Sequence, residues 1–130
     1  APSYIARFGK PESIKDLDNH RLVTFGEPAP MYLTNINLLE TFDRAEDDSR
    51  TPVLQINSLL SVKKAVQRGA GIALLPDYMV DKDSGLQQII LDMEMPSFDT
   101  YFCYPETLKN AAKLNAFRDF IFSKARAWSY

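Results

Sequence analysis

The sequence predicts an α/β domain, with a mixed sheet of about five strands, helices on both faces and a further helix at the C-terminus. Two observations carry this. Between Asn57 and Pro76 a helical pattern, a glycine stop and an apolar run follow one another. Other short apolar runs bounded by turn residues recur along the chain, alternating with helical periodicity.

The Asn57–Pro76 stretch is the most informative. Ser58 is placed to cap a helix by accepting a backbone N–H two or three residues on. Leu59, Val62 and Val66 fall on one helical face. Gly69 sits where a helix end wants positive φ, after Lys63, Lys64 and Arg68 on the negative end of the helix dipole. Ile72 to Leu75 is wholly apolar, as a parallel strand covered on both faces should be, and Pro76 ends it. Such an αβ step belongs to a parallel-sheet lobe, and these lobes bind ligands at the carboxyl ends of their strands.

The other elements follow in order. Pro11 to Leu17 predicts a short helix, with Ser13 as N-cap and Asp16 three residues on, close to a capping box. Leu22 to Phe25 predicts a strand. Gly26 to Pro30 is a stiff loop, because two prolines fix φ. Leu33 to Arg44 carries Ile36, Leu39 and Phe42 at helical spacing and predicts an amphipathic helix. Ala45 to Thr51 is polar and charged, a surface turn. Pro52 to Ile56 predicts a strand, and Pro76 to Val80 a single helical turn. Strands are expected at Leu86–Leu91 and Thr100–Tyr104, with Met95-Pro96-Ser97 as a linker between them. Lys109 to Trp128 predicts the last helix. Its stripe of Leu114, Phe117, Ile121, Ala125 and Trp128 is flanked by Phe120 and Phe122. The apolar surface therefore spreads over roughly 200°, wider than the ~100° that a one-sided helix needs. The excess is expected to be buried by a second copy of the chain.

Composition narrows the function. The apolar fraction of 45% and charged fraction of 25% are those of a soluble globular domain. A net charge of −2 gives no electrostatic footprint for nucleic acid. The single cysteine, Cys103, excludes an internal disulfide and permits a reduced, cytoplasmic setting. No apolar run approaches membrane-spanning length and no signal peptide is visible. The first residue is Ala1, not Met, which suggests a piece of a longer protein.

Few residues suggest reaction chemistry. His20, the single histidine, lies in a polar run and reads as a surface or capping residue. Cys103, between aromatics in an expected strand, reads as a small buried hydrophobe. One Cys and one His far apart make no metal site, so no metal and no cofactor are expected. Gly69-Ala70-Gly71 is not a dinucleotide fingerprint, which needs strand, glycines, then helix, where this chain has helix, glycines, strand. Glu46-Asp47-Asp48 and Asp81-Lys82-Asp83 read as solvated turns. No convergent acid–base pair is visible, so the chain does not read as an enzyme. Two loops at expected strand ends remain as ligand candidates: Thr24 to Met31, and Asn57 to Leu60, where free N–H groups favour anions.

The run Ala65-Val66-Gln67-Arg68-Gly69-Ala70-Gly71-Ile72-Ala73-Leu74-Leu75-Pro76 resembles a signature of the C-terminal effector-binding (regulatory) domain of LysR-type transcriptional regulators, Ala-Val-x-x-Gly-x-Gly-Ile-Ala-x-x-Pro. The opening Ala1–Pro11 is similar to the segment after that family's first interdomain crossover. Asp16-Leu17-Asp18-Asn19-His20 looks like its Asp-Leu-x-x-His approach to the first strand of the second lobe. Tyr101-Phe102-Cys103-Tyr104-Pro105 resembles the return crossover, and Lys113–Ile121 the C-terminal helix.

The resemblance implies a lobe of the type II periplasmic-binding-protein kind. Residues 1 to about 100 would form the second subdomain, and about 101–130 the returning strand and C-terminal helix of the first. A DNA-binding winged helix-turn-helix would precede it and is absent here. The implied role is not catalysis. A small-molecule effector binds between two lobes and biases the arrangement of a DNA-bound homo-oligomer, a dimer for this fragment and a tetramer for the full protein. Carried over by motif, the effector contacts are Thr24, Gly26, Glu27, Pro28, Ala29, Asn57, Ser58 and Leu59. Ser58 serves equally as a helix cap, and Glu27 suits a ligand bearing an amine or hydroxyls. A lobe of a type II periplasmic solute-binding protein is the alternative, since it shares the architecture.

Overall fold

In the computed structural model, residues 1–33, 35–45, 47–97 and 99–127 are described. They form two compact units, Ala1–Met95 and Pro96–Tyr130.

The first unit opens with helix α1 (Pro2–Phe8), which the sequence pattern did not announce. Pro2 sits at the first helical position, where its missing N–H costs nothing. α1 buries a single residue, Tyr4, which is 1% exposed and stacks near Phe8 with ring centroids 4.8 Å apart. The expected helix at Pro11–Leu17 is displaced to a 3-10 turn, Lys15–Asn19. Its entry keeps half of the predicted capping box. The Asp16 carboxylate accepts the N–H groups of Glu12 and Ser13, both at 2.9 Å.

Strands β1 (Val23–Phe25) and β2 (Leu54–Ile56) pair in parallel, with Val23 opposite Leu54 and Phe25 opposite Ile56. Helix α3 (Leu59–Gln67) follows β2 as the sequence required. Ser58 caps it by accepting the Ser61 N–H at 3.4 Å. Its far end closes as a Schellman motif. Gly69, at φ +77°, donates to the Val66 carbonyl at 2.9 Å, and Ala70 donates to the Ala65 carbonyl at 3.1 Å.

The expected strand at Ile72–Leu75 is only begun. Leu22 and Ile72 form a parallel bridge, in which Ile72 N–H donates to Arg21 C=O and Val23 N–H to Ile72 C=O, each at 2.8 Å. Close approach here requires Gly71, because a Cβ at that position would overlap the Arg21 carbonyl oxygen. Beyond Ile72 no ladder forms, yet the residues still alternate like a strand. Ile72 and Leu74 pack on the cluster of Leu17, Leu22 and Leu39, whereas Ala73 and Leu75 pack on that of Val23, Val62 and Val66. These clusters put helices on both faces of the small sheet, as expected.

Three expectations fail in this unit. Leu33–Arg44 is not one helix. It is a 3-10 turn (Met31–Leu33), turns, and the short helix α2 (Leu38–Thr41). Positive φ at Asn35 (64°) and Asp43 (57°) breaks the helical path on both sides. Ala45–Thr51 is not merely a surface turn, because Arg50 is buried (7% exposed). Its guanidinium donates to the carbonyls of Leu39, Phe42 and Ile14 and to Asp18. Leu86–Leu91 forms no strand, although Leu86 and Leu91 pack against the two clusters.

In the second unit the expected strand Thr100–Tyr104 is also absent, and Cys103 is exposed, not buried. Helix α4 (Ala112–Arg126) fulfils the C-terminal prediction, with Trp128 lying outside the described residues. Phe102 packs near Tyr104 and Phe117, with centroids 5.7 and 6.0 Å apart. The described residues thus hold a two-stranded sheet extended by one bridge, where about five strands were expected. The segments 86–91 and 100–104 find no ladder partner among those residues, and a strand without a partner cannot satisfy its backbone groups.

Candidate functional site

The parallel pairing decides which loops meet. β1 and β2 end side by side, so the residues after them, Gly26 and Asn57, come together. Gly26 N–H donates to the Ile56 carbonyl at 3.3 Å, and a Cβ on Gly26 would overlap the Asn57 side-chain oxygen. The two candidate loops therefore adjoin at the carboxyl edge of the sheet, where open α/β sheets place their ligands.

Within the first loop, Thr24 is buried at 4% exposure and its hydroxyl has no partner among the described residues. Gly26 is buried as well. Glu27 and Pro28, joined by a cis peptide bond, are exposed, and Ala29 is half-buried. The Glu27 carboxylate is held at both oxygens, Oε2 accepting the Ala29 N–H at 3.0 Å and Oε1 the Asn37 side-chain amide at 2.9 Å. In the second loop Asn57 and Ser58 are exposed and Leu59 is half-buried, so the α3 N-terminus faces solvent. Beside the first loop lies an open recess of about 270 Å³, lined by Glu27, Ala29, Leu33, Ile36, Asn37 and Thr41 among others. Residues 57–59 do not line it.

Asn37 was not among the expected site residues. The signal for it was faint: Asn35 and Asn37 both stand inside an expected helix, where asparagine competes with the backbone for hydrogen bonds. Arg50 had no local signal at all, since its acidic partner Asp18 lies 32 residues away.

Several titratable groups away from the two loops tie the scaffold together. His20 Nδ1 lies 3.0 Å from the Tyr4 hydroxyl, which also accepts the Arg21 N–H at 2.9 Å. The pair ties helix α1 to the approach to β1, a structural role for His20. The hydrogen bonds from the Glu12 and Ser13 backbone hold the Asp16 carboxyl below its ordinary range. Asp18 is lowered by hydrogen bonds from Arg44 and Arg50, and Arg44 is raised by bonding Asp18 and Asp48. Glu46 lies outside the described residues, so the acidic run there reduces to Asp47 and Asp48, and Asp48 pairs with Arg44 at 2.7 Å. Among the described residues no group of His, Cys, Asp and Glu could hold a metal ion, and no helix is long and apolar enough to cross a membrane.

The family model for the LysR substrate binding domain matches residues 1–126. This chain belongs to that family. Neither the curated proteins nor the solved structures yield a match to it. Membership implies an α/β architecture of the type II periplasmic-binding kind and places the chain in the family of LysR-type regulators. The resemblance read from Ala65–Pro76 and the four other segments is thereby shown.

Proposed function

We propose that this chain is the ligand-sensing regulatory lobe of a bacterial, cytoplasmic LysR-type transcription factor, without catalytic activity. It corresponds mainly to the second subdomain, residues 1 to about 100, with the return crossover and C-terminal helix of the first attached. The observation that supports this best is the meeting of Gly26 and Asn57 at the carboxyl edge of the parallel pair, in a chain matched to the family over residues 1–126. In this reading Thr24, Gly26, Glu27, Pro28, Ala29, Asn57, Ser58 and Leu59 form one wall of an effector cleft. The opposite wall comes from a facing lobe of the full regulator. Glu27, fixed as a hydrogen-bond acceptor, favours an effector carrying an amine or hydroxyls.

Effector binding favours one lobe arrangement, and it shifts that equilibrium only by its differential affinity for the two states. The shift is read out by a homo-oligomer, dimeric through the exposed face of α4 and tetrameric in the full regulator, which contacts DNA through a separate helix-turn-helix. One wall alone binds weakly. Titrating the ¹⁵N-labelled chain with millimolar amino acids, amino alcohols and hydroxy acids should move the amides of residues 24–27, 29 and 57–59 together. Shifts confined to other residues, or tight binding to this lobe by calorimetry, would contradict the reading.

A further inference from the structure

We infer that Asn37 is the positioning residue of the Gly26–Ala29 loop, standing in for a strand at the open edge of β1 and aiming the Glu27 carboxylate. The inference rests on the reading of that loop as an effector contact.

The ladder shows why a stand-in is needed. The bridge runs Ile72 N–H to Arg21 C=O and Val23 N–H to Ile72 C=O. Continued in the same parallel register, it would set the Leu74 carbonyl against the Phe25 N–H and the N–H of residue 76 against the Phe25 carbonyl. Residue 76 is proline and has no N–H to give. A strand at 72–76 therefore cannot satisfy the carbonyl of Phe25, the last residue before the loop. Asn37 does so from outside the sheet. Its Oδ1 accepts the Phe25 N–H at 2.9 Å and its Nδ2 donates to the Phe25 carbonyl at 2.9 Å. A primary amide thus makes the two-point contact that a neighbouring strand would make.

The second proton on Nδ2 goes to Glu27 Oε1, also at 2.9 Å. One side chain therefore ends the strand and orients the carboxylate two residues on. The alternative role for Asn37 is an ordinary helix cap, since it stands at the N-cap position of α2. Its side chain makes no cap hydrogen bond there. Asn37 is itself held in place from behind. The Glu40 N–H donates to its carbonyl, and Arg50 ties the Leu39 and Phe42 carbonyls into the core.

The test is site-resolved amide exchange on the whole chain, without ligand, beside thermal unfolding. Asn37→Ala should speed exchange at Phe25 and Ala29 roughly tenfold, the size expected for loss of a local hydrogen-bonded anchor, while Val62 and Val66 keep their rates. Asn37→Asp, nearly isosteric, keeps an acceptor for Phe25 but loses both donors and sets a second carboxylate against Glu27. It should leave Phe25 protected and free Ala29. In a Glu27→Ala background, Asn37→Ala should still free Phe25 but add nothing at Ala29. Unchanged rates at Phe25 and Ala29 in Asn37→Ala would overturn the inference, and so would equal acceleration at Val62 and Val66, which reports only global stability. Because no ligand enters this experiment, its failure leaves the effector reading standing, and the ligand titration can fail without touching it.

Discussion

In the unit Ala1–Met95, Leu17, Leu22, Val23 and Val62 are 1 to 2% exposed, whereas between residues 96 and 127 no described residue is buried. There Phe117, Phe120 and Phe122 stand 54, 57 and 46% exposed on a well-formed helix. The second unit is not short of apolar residues. Among its described residues there is no sheet for them to cover. Three-residue strands suffice in the first unit because α3 closes one face, and the 3-10 turn with α2 closes the other. Helical periodicity thus forms a helix in both units, but burial follows only where a paired strand offers a facing surface.

The comparison breaks most readily at Arg50. Replacing it with Ala removes the guanidinium donor from the Leu39, Phe42 and Ile14 carbonyls, of which Ile14 keeps the Leu17 N–H, and should cost about 3 kcal/mol in urea unfolding. A loss below ~1 kcal/mol would mean that water replaces the guanidinium and that the first unit is less closed than its exposures imply.

Acid should act next, and on the first unit, where Asp16 and Asp18 are the carboxyls held low. Their ionised forms are favoured in the fold, so the folded chain binds fewer protons than the unfolded one. The stabilisation is complete above the ordinary carboxylate value of about 4 and is lost as pH falls through the lowered folded values. Asp18→Asn should flatten stability against pH in that acid window and leave its shape unchanged near neutrality.

The smallest effect is expected in the second unit. Phe120→Ser should change stability by less than ~0.5 kcal/mol, because a half-exposed ring has little burial to lose. If α4 is the dimer surface, the same variant should lower the dimer fraction in sedimentation at micromolar concentration. A large loss of stability in the monomer would show that this face is already packed.

What could be read in advance was local. Ser58, the spacing of Leu59, Val62 and Val66, and Gly69 specify α3 with its cap and its left-handed stop, since each acts within one or two turns of chain. The two candidate loops were legible as strand ends, but the meeting of Gly26 with Asn57 came only from the pairing of the strands. Helix α1 was not legible, because a seven-residue helix around the single buried residue Tyr4 carries too short a period to detect. The strands at 86–91 and 100–104 were over-read, since apolar runs state a preference for burial without naming a ladder partner.

By itself, then, the sequence determined helix α3 with its cap and stop, the C-terminal helix and the family to which the chain belongs, all through contacts and motifs close in the chain. Only the tertiary structure decided that Arg50 enters the interior to reach Asp18, or that Asn37 abandons its helix cap for the edge of β1. A polar side chain's fate depends on which unsatisfied backbone groups the fold carries past it. Those groups are fixed by pairings between distant residues, and no local pattern records them.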